Sequence, residues 1–237
     1  MDIPESIVKS GLNQAWTQLA WLDPEKVCLR SGADFDSKEH SYALTCFQQP
    51  INVCLSEQSI RSSTEIGSML TTSLAELFNL STLWYLVQAR DAVCSDRLVH
   101  PTELPGGDMF AKGTHILPLD NVASRFGQDP EGFVRTGARL GAEAMDFGDT
   151  ALKLWPFPRV PVILVLWLKD DEFPARATLL LDSTTHLHLP MDILWSTSML
   201  SLQLLLRVAN YPSSMRISLI DLYLLSFTHL SSSPESL

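Results

Sequence analysis

A chain of 237 residues, 46% hydrophobic and 19% charged, is long enough to bury a substantial core and too apolar for wholesale disorder. Its formal net charge of -10 and its 17 scattered Lys and Arg exclude a nucleic-acid footprint and disfavour an anionic membrane surface. The start Met1-Asp2-Ile3-Pro4-Glu5 lacks the apolar core of a secretory signal, and the longest apolar run, 160–168, is too short to span a bilayer.

In chain order, residues 5–21 put Ile7, Val8, Leu12, Ala15, Trp16 and Leu19 on one helical face. Asp23-Pro24 starts a new element, 27–30 is a short strand or helix end, and Ser31-Gly32-Ala33 turns the chain. Residues 42–47 and 51–55 read as two strands around a turn at Gln48-Gln49-Pro50. That turn places Cys46 and Cys54 where they could face each other across a hairpin. No pair among Cys28, Cys46, Cys54 and Cys94 has C-x-x-C spacing, so all four are expected to be reduced and structural, as suits a cytoplasmic protein. Residues 56–67 read as a polar exposed connection and 68–90 as one long buried helix. Residues 101–113 form a loop by composition, and 119–126 a short amphipathic helix. Asp129-Pro130-Glu131 then combines an N-cap, a proline at the first helical position and an early acid, so a helix runs from there to about Leu140.

The clearest β region follows. A strand over 149–155 is stopped by Pro156-Phe157-Pro158. The nearly unbroken apolar run 160–168 is a strand covered on both faces, and 175–181 is the next strand. The link 169–174 is too short for a parallel crossover, so the pair is antiparallel. Residues 190–210 return to helix. The expected fold class is α+β: an antiparallel sheet, including a 149–182 meander, packed with several helices in a single domain over 1–210. A Ser/Leu-rich tail over 211–237 is expected to end in disorder.

The residues best suited to chemistry flank the last of these strands. Asp170-Asp171-Glu172 puts three carboxylates in succession, and such crowding raises a pKa or recruits a cation. In His186-Leu187-His188 an extended backbone would put both imidazoles on one face, with the carboxylates of Asp182 and Asp192 nearby. Asp170, Asp171, Glu172, His186 and His188 are therefore candidate metal ligands, and Asp171 and Glu172 candidate general acids or bases. The plain alternative is a solvated hairpin tip, with Phe173-Pro174 anchoring the turn to the core, and two surface histidines. Gly106-Gly107 allows close backbone approach to an anion but lacks G-x-G-x-x-G or Walker spacing, so a simple turn competes with a ligand loop. His115 lies just downstream as a candidate metal or tetrapyrrole ligand. The aromatic set that includes Trp84, Trp155, Trp167 and Trp195 would either line a flat cofactor pocket or form plain core.

The segment Phe157-Pro158-Arg159-Val160-Pro161-Val162, then Leu166-Trp167, then Asp170-Asp171-Glu172-Phe173-Pro174-Ala175 and Leu181-Asp182, resembles the DUF3786 family signature. Leu22-Asp23-Pro24, Ser31-Gly32-Ala33, Leu104-Pro105-Gly106-Gly107 and Gly148-Asp149 add to the likeness, which spans roughly 15–205. The resemblance implies a domain of anaerobic bacteria and archaea with no established activity. Some members carry a four-cysteine iron–sulfur module, which this chain lacks, and the segment after Tyr211 departs from the family. Three roles stand open. The leading one is binding of a small molecule, a metal ion or a tetrapyrrole-like cofactor, with Gly106, Gly107, His115 and Trp167 as contacts. The rivals are a metal- or carboxylate-dependent enzyme using the 170–172 turn, and a non-catalytic protein partner.

Overall fold

The computed structural model describes residues 5–111 and 116–211. His115 and the tail after Tyr211, both singled out by the sequence, lie outside the described residues. Among the described residues, two antiparallel sheets and seven α-helices make up an α+β fold.

The helices begin where capping chemistry says they should. Helix α1 is Glu5–Trp21 and helix α2 is Pro24–Ser31. The Asp23 carboxylate caps α2 by accepting the Glu25 N–H at 3.1 Å. The short stretch 27–30 is thus helical. Strands β1 (Asp34–Asp36), β2 (Ser41–Cys46), β3 (Gln49–Cys54) and β4 (Ser59–Arg61) form a four-stranded meander. Strand β4 occupies what reads by composition as a plain connection.

The β2–β3 turn falls one residue earlier than expected, at Phe47-Gln48, with φ of 49° and 59°. Two positive φ values match the twist of a two-residue hairpin turn. They are unfavourable for Phe and Gln. Phe47 offsets this by being fully buried and by donating its N–H to the Trp155 carbonyl of the other sheet at 2.7 Å. The resulting register pairs Cys46 with Gln49 and Cys54 with Ser41, so these two thiols do not face each other. All four cysteines are free.

The expected long helix over 68–90 is two helices, α3 (Glu65–Thr71) and α4 (Ala75–Gln88). Two hydroxyl side chains at the break bond helical carbonyls. Thr71 donates to the Gly67 carbonyl at 3.2 Å and Thr72 to that of Ser68 at 2.7 Å. Helices α5 (Leu119–Phe126) and α6 (Pro130–Arg139) follow, the latter capped by Asp129, which accepts the Gly132 N–H at 2.8 Å.

The five-stranded sheet has the order β5-β9-β8-β7-β6, formed by β5 (Leu98–Val99), β6 (Glu143–Met145), β7 (Thr150–Phe157), β8 (Val160–Trp167) and β9 (Arg176–Asp182). Proline 156 does not end β7. A register shift between Leu154 and Phe157 absorbs it, the kind of irregularity where a strand tolerates a missing N–H. In β8, Val162, Leu164 and Leu166 enter the main core, while Ile163 and Val165 form a smaller cluster with Ala151 on the other face. The main core is closed by α4 and by α7 (Met191–Asn210), whose Leu200, Leu202, Leu204 and Leu205 are fully buried. No helix among the described residues is long and apolar enough to cross a membrane.

Candidate functional site

Strand β9 separates the two groups of residues that the sequence offered as one metal set. Asp170, Asp171 and Glu172 precede it; His186 and His188 follow it. Seven extended residues span about 20 Å, too far for one ion to bridge. Among the described residues no three His, Cys, Asp or Glu side chains converge as metal ligands.

At the near end, the turn between β8 and β9 is held by its own backbone. Asp170 Oδ1 accepts the N–H groups of Glu172 and Phe173, at 2.8 and 2.6 Å. These bonds satisfy the turn locally, so Asp170 acts as a staple. Asp171 and Glu172 are exposed. Phe173 does not anchor the turn to the core; it is 65% exposed.

A groove of about 470 Å³ opens beside the base of this hairpin. Ser124 and Arg125 from the end of α5, with Gln128 and Asp129 from the α5–α6 turn, form one side, and Lys169, Pro174 and Ala175 from the hairpin the other. The Lys169 N–H donates to the Gly127 carbonyl at 3.1 Å and fixes the two sides together. Arg125 lies 3.6 Å from the Asp129 carboxylate and against the Phe126 ring. Lys169 is exposed and forms no ion pair among the described residues. A larger concavity of about 650 Å³ lies on the four-stranded sheet, but its charged lining is mainly acidic: Asp34, Asp36, Glu39 and Glu57 against Lys38 and Arg61.

At the far end of β9 the chemistry is buried. Residues 185–187 form a 3-10 turn instead of an extended segment. At about three residues per turn, side chains two apart point in different directions. His186 Nδ1 meets the Ser183 carbonyl at 2.8 Å, while His188 is fully buried. His188 Nδ1 accepts the Arg90 N–H at 3.4 Å, so the ring proton resides on Nε2, which has no partner among the described residues. Burial, reinforced by the nearby Arg159 guanidinium, lowers the His188 pKa to about 4. Asp182 is 1% exposed. Burial pushes its pKa up, but hydrogen bonds from Thr184 and Ser95 outweigh this and leave it below the usual carboxylate value. Its Oδ1 accepts from Ser95 N and Oγ at 3.1 and 3.0 Å and from Thr184 N and Oγ1 at 2.9 and 2.6 Å.

These bonds tie down a strap, residues 89–99, that runs from α4 to β5. Arg159 completes the anchorage, donating to the Ala92 carbonyl, the Asp91 carboxylate and the Leu29 carbonyl, each at 2.9 Å. Sequence reasoning did not single out Arg159 as a site residue, and Asp182 entered only as a carboxylate near the two histidines. The available signal was a charge at each end of buried strands: Arg159 abuts β8, and Asp182 ends the apolar run of β9. Charges in such places need partners.

The other candidates do not meet in one place. Gly107 is dictated by packing, because a Cβ there would lie 1.9 Å from the Pro101 carbonyl oxygen. Gly106, at φ 80°, faces Met191. The Trp167 ring is covered by the Arg176 guanidinium, 4.2 Å from its centroid. Trp155 binds Glu143 at 2.8 Å, and Trp195 is buried.

The family model for a domain of unknown function, DUF3786, matches residues 23–203. The chain belongs to this family. The match begins at the Asp23 cap of α2 and ends within α7, so it takes in the groove, the strap and both turns that flank β9. No curated protein and no solved structure matches the chain.

Proposed function

We propose that the protein is a cytoplasmic binding module for a small molecule carrying a carboxylate or phosphate group, held in the groove between the α5–α6 turn and the base of the β8–β9 hairpin. The observation that carries this reading is the pair of cations, Arg125 and Lys169, brought to one groove by two different elements, with Asp129 as the one carboxylate in the lining. An anion there gains charge-assisted hydrogen bonds, and exposed Lys169 is free to make one. The net charge of -10 and the scattered basic residues support a partner that is neither nucleic acid nor membrane.

The other ligand classes have less support. A metal ion would need convergent ligands, and the tip acids stand a strand's length from the histidines. A tetrapyrrole-like cofactor would need an open aromatic wall, whereas Trp167 carries Arg176 on its face. An enzyme with Asp171 or Glu172 as general acid or base would need one of them inside a cleft, and neither lines the groove.

Calorimetric titration of the full chain with inorganic phosphate and with citrate tests the reading. Saturable binding to at least one is expected, with Lys169→Met weakening it about tenfold or more and Lys169→Arg retaining it. No heat with either probe, or full affinity in Lys169→Met, would overturn it.

A further inference from the structure

The end of the five-stranded sheet that holds the β8–β9 turn also holds the β6–β7 turn, because the strands alternate in direction. The two turns are joined: Asp149 Oδ2 accepts the Leu168 N–H at 2.7 Å, and the Asp149 N–H reaches the Leu166 carbonyl at 3.1 Å. Each turn presents one large apolar side chain to solvent, Phe147 at 44% and Phe173 at 65% exposure. Neither belongs to either core cluster.

The backbone does not need these two phenylalanines. In the first turn the close fit falls on Gly148, where φ is 58° and a Cβ would lie 2.7 Å from Val165. In the second turn Asp170 provides the closure. A single exposed apolar residue is ordinary, but two on adjoining, stapled turns put apolar surface at one end of the sheet. Exposed Asp146, Asp171 and Glu172 stand beside the two phenylalanines in the chain, and none forms an ion pair with a described residue. With Asp149 and Asp170 the tip carries five carboxylates, against the cations Lys169 and Arg176.

We propose that this tip is a docking surface for a protein segment that is both basic and apolar, such as an amphipathic helix with Lys or Arg beside Leu. Phe147 and Phe173 supply the apolar contact, and the carboxylates supply attraction and orientation. Charge complementarity selects this occupant over a second copy of the chain, whose own tip and net charge of -10 would repel. The proposal does not rest on the anion groove, since none of Phe147, Phe173, Asp146, Asp171 and Glu172 lines it.

A fluorescent synthetic leucine–lysine amphipathic helical peptide, titrated into the full chain, is the probe. Saturable binding is expected, with amide chemical-shift changes confined to 146–149 and 170–173. The double variant Phe147→Ser with Phe173→Ser should weaken binding about tenfold or more while the melting curve stays in place. Asp171→Asn with Glu172→Gln should weaken it and flatten its salt dependence. The matched pair Asp34→Asn with Glu39→Gln, on the four-stranded sheet, should leave it unchanged. Absence of saturable binding overturns the proposal. Equal loss in the matched sheet pair does so too, because it means non-specific charge attraction. Concentration-dependent self-association lost in the phenylalanine variant would replace the proposed partner with a second copy and also overturn it.

Discussion

The two ends of β9 use the same kinds of residue to opposite effect. Before the strand, Asp170 closes an exposed turn with bonds to its own neighbours, and its loss would free only backbone groups that water can reach. After the strand, Asp182 is buried and holds Ser95, a residue 87 positions away, together with Thr184. Buried polar groups carry large penalties when a partner is removed, whereas exposed ones exchange partners with solvent at little cost. The difference teaches that the acids most conspicuous in the sequence stand at the surface, where they bond only their own turn or water. The one buried carboxylate among the described residues, Asp182, stands alone behind an apolar run.

Removing Asp182 gives the largest effect expected from this contrast. Asp182→Ala leaves the Ser95 and Thr184 donors without their acceptor and should destabilise by about 3 kcal/mol. A urea unfolding midpoint unchanged from wild type would break the contrast at its stronger end. His188 sharpens it through pH. The folded chain holds His188 neutral with a pKa of about 4, below the ordinary 6.5, so the unfolded chain takes up that proton first as pH falls. The stability it supports is full above about 6.5 and is lost as pH drops towards about 4. His188→Gln should flatten this part of the stability–pH curve, and an equal slope in both proteins would remove His188 as its source.

The effects shrink at the near end. Asp170→Ala should cost about 1 kcal/mol, visible as faster amide exchange at Glu172 and Phe173. A cost as large as that of Asp182→Ala would erase the distinction. Asp171→Asn with Glu172→Gln should change stability by less than about 0.5 kcal/mol. A larger change in the thermal midpoint would mean that the tip carboxylates serve the fold.

Much of the fold was legible because it rests on local chemistry. Asp23-Pro24 and Asp129-Pro130 start helices in both sequence and structure, since caps act over a few residues. The 169–174 link alone makes β8 and β9 antiparallel, because so short a connection cannot cross over. Departures arose where packing or strand pairing overrides local signals. The turn at Phe47-Gln48 has no glycine or asparagine to announce it, and its positive φ values persist because Phe47 is buried and bonded to Trp155, 108 positions on. The strand through Pro156 survives because a register shift accommodates it.

For the candidate site, the sequence by itself determined the acidic turn between two apolar strands, its antiparallel geometry and the membership of residues 23–203 in a family of unknown function. Only the tertiary structure decided that the tip acids and the histidines lie a strand apart, that His188 points inward, and that Arg125 and Lys169 share a groove. The physical reason is range. Caps, turns and strand alternation depend on neighbours in the chain. The strap is fixed by bonds from Arg159 to Ala92 and from Ser95 to Asp182, which span 67 and 87 positions and exist only once the sheet has formed.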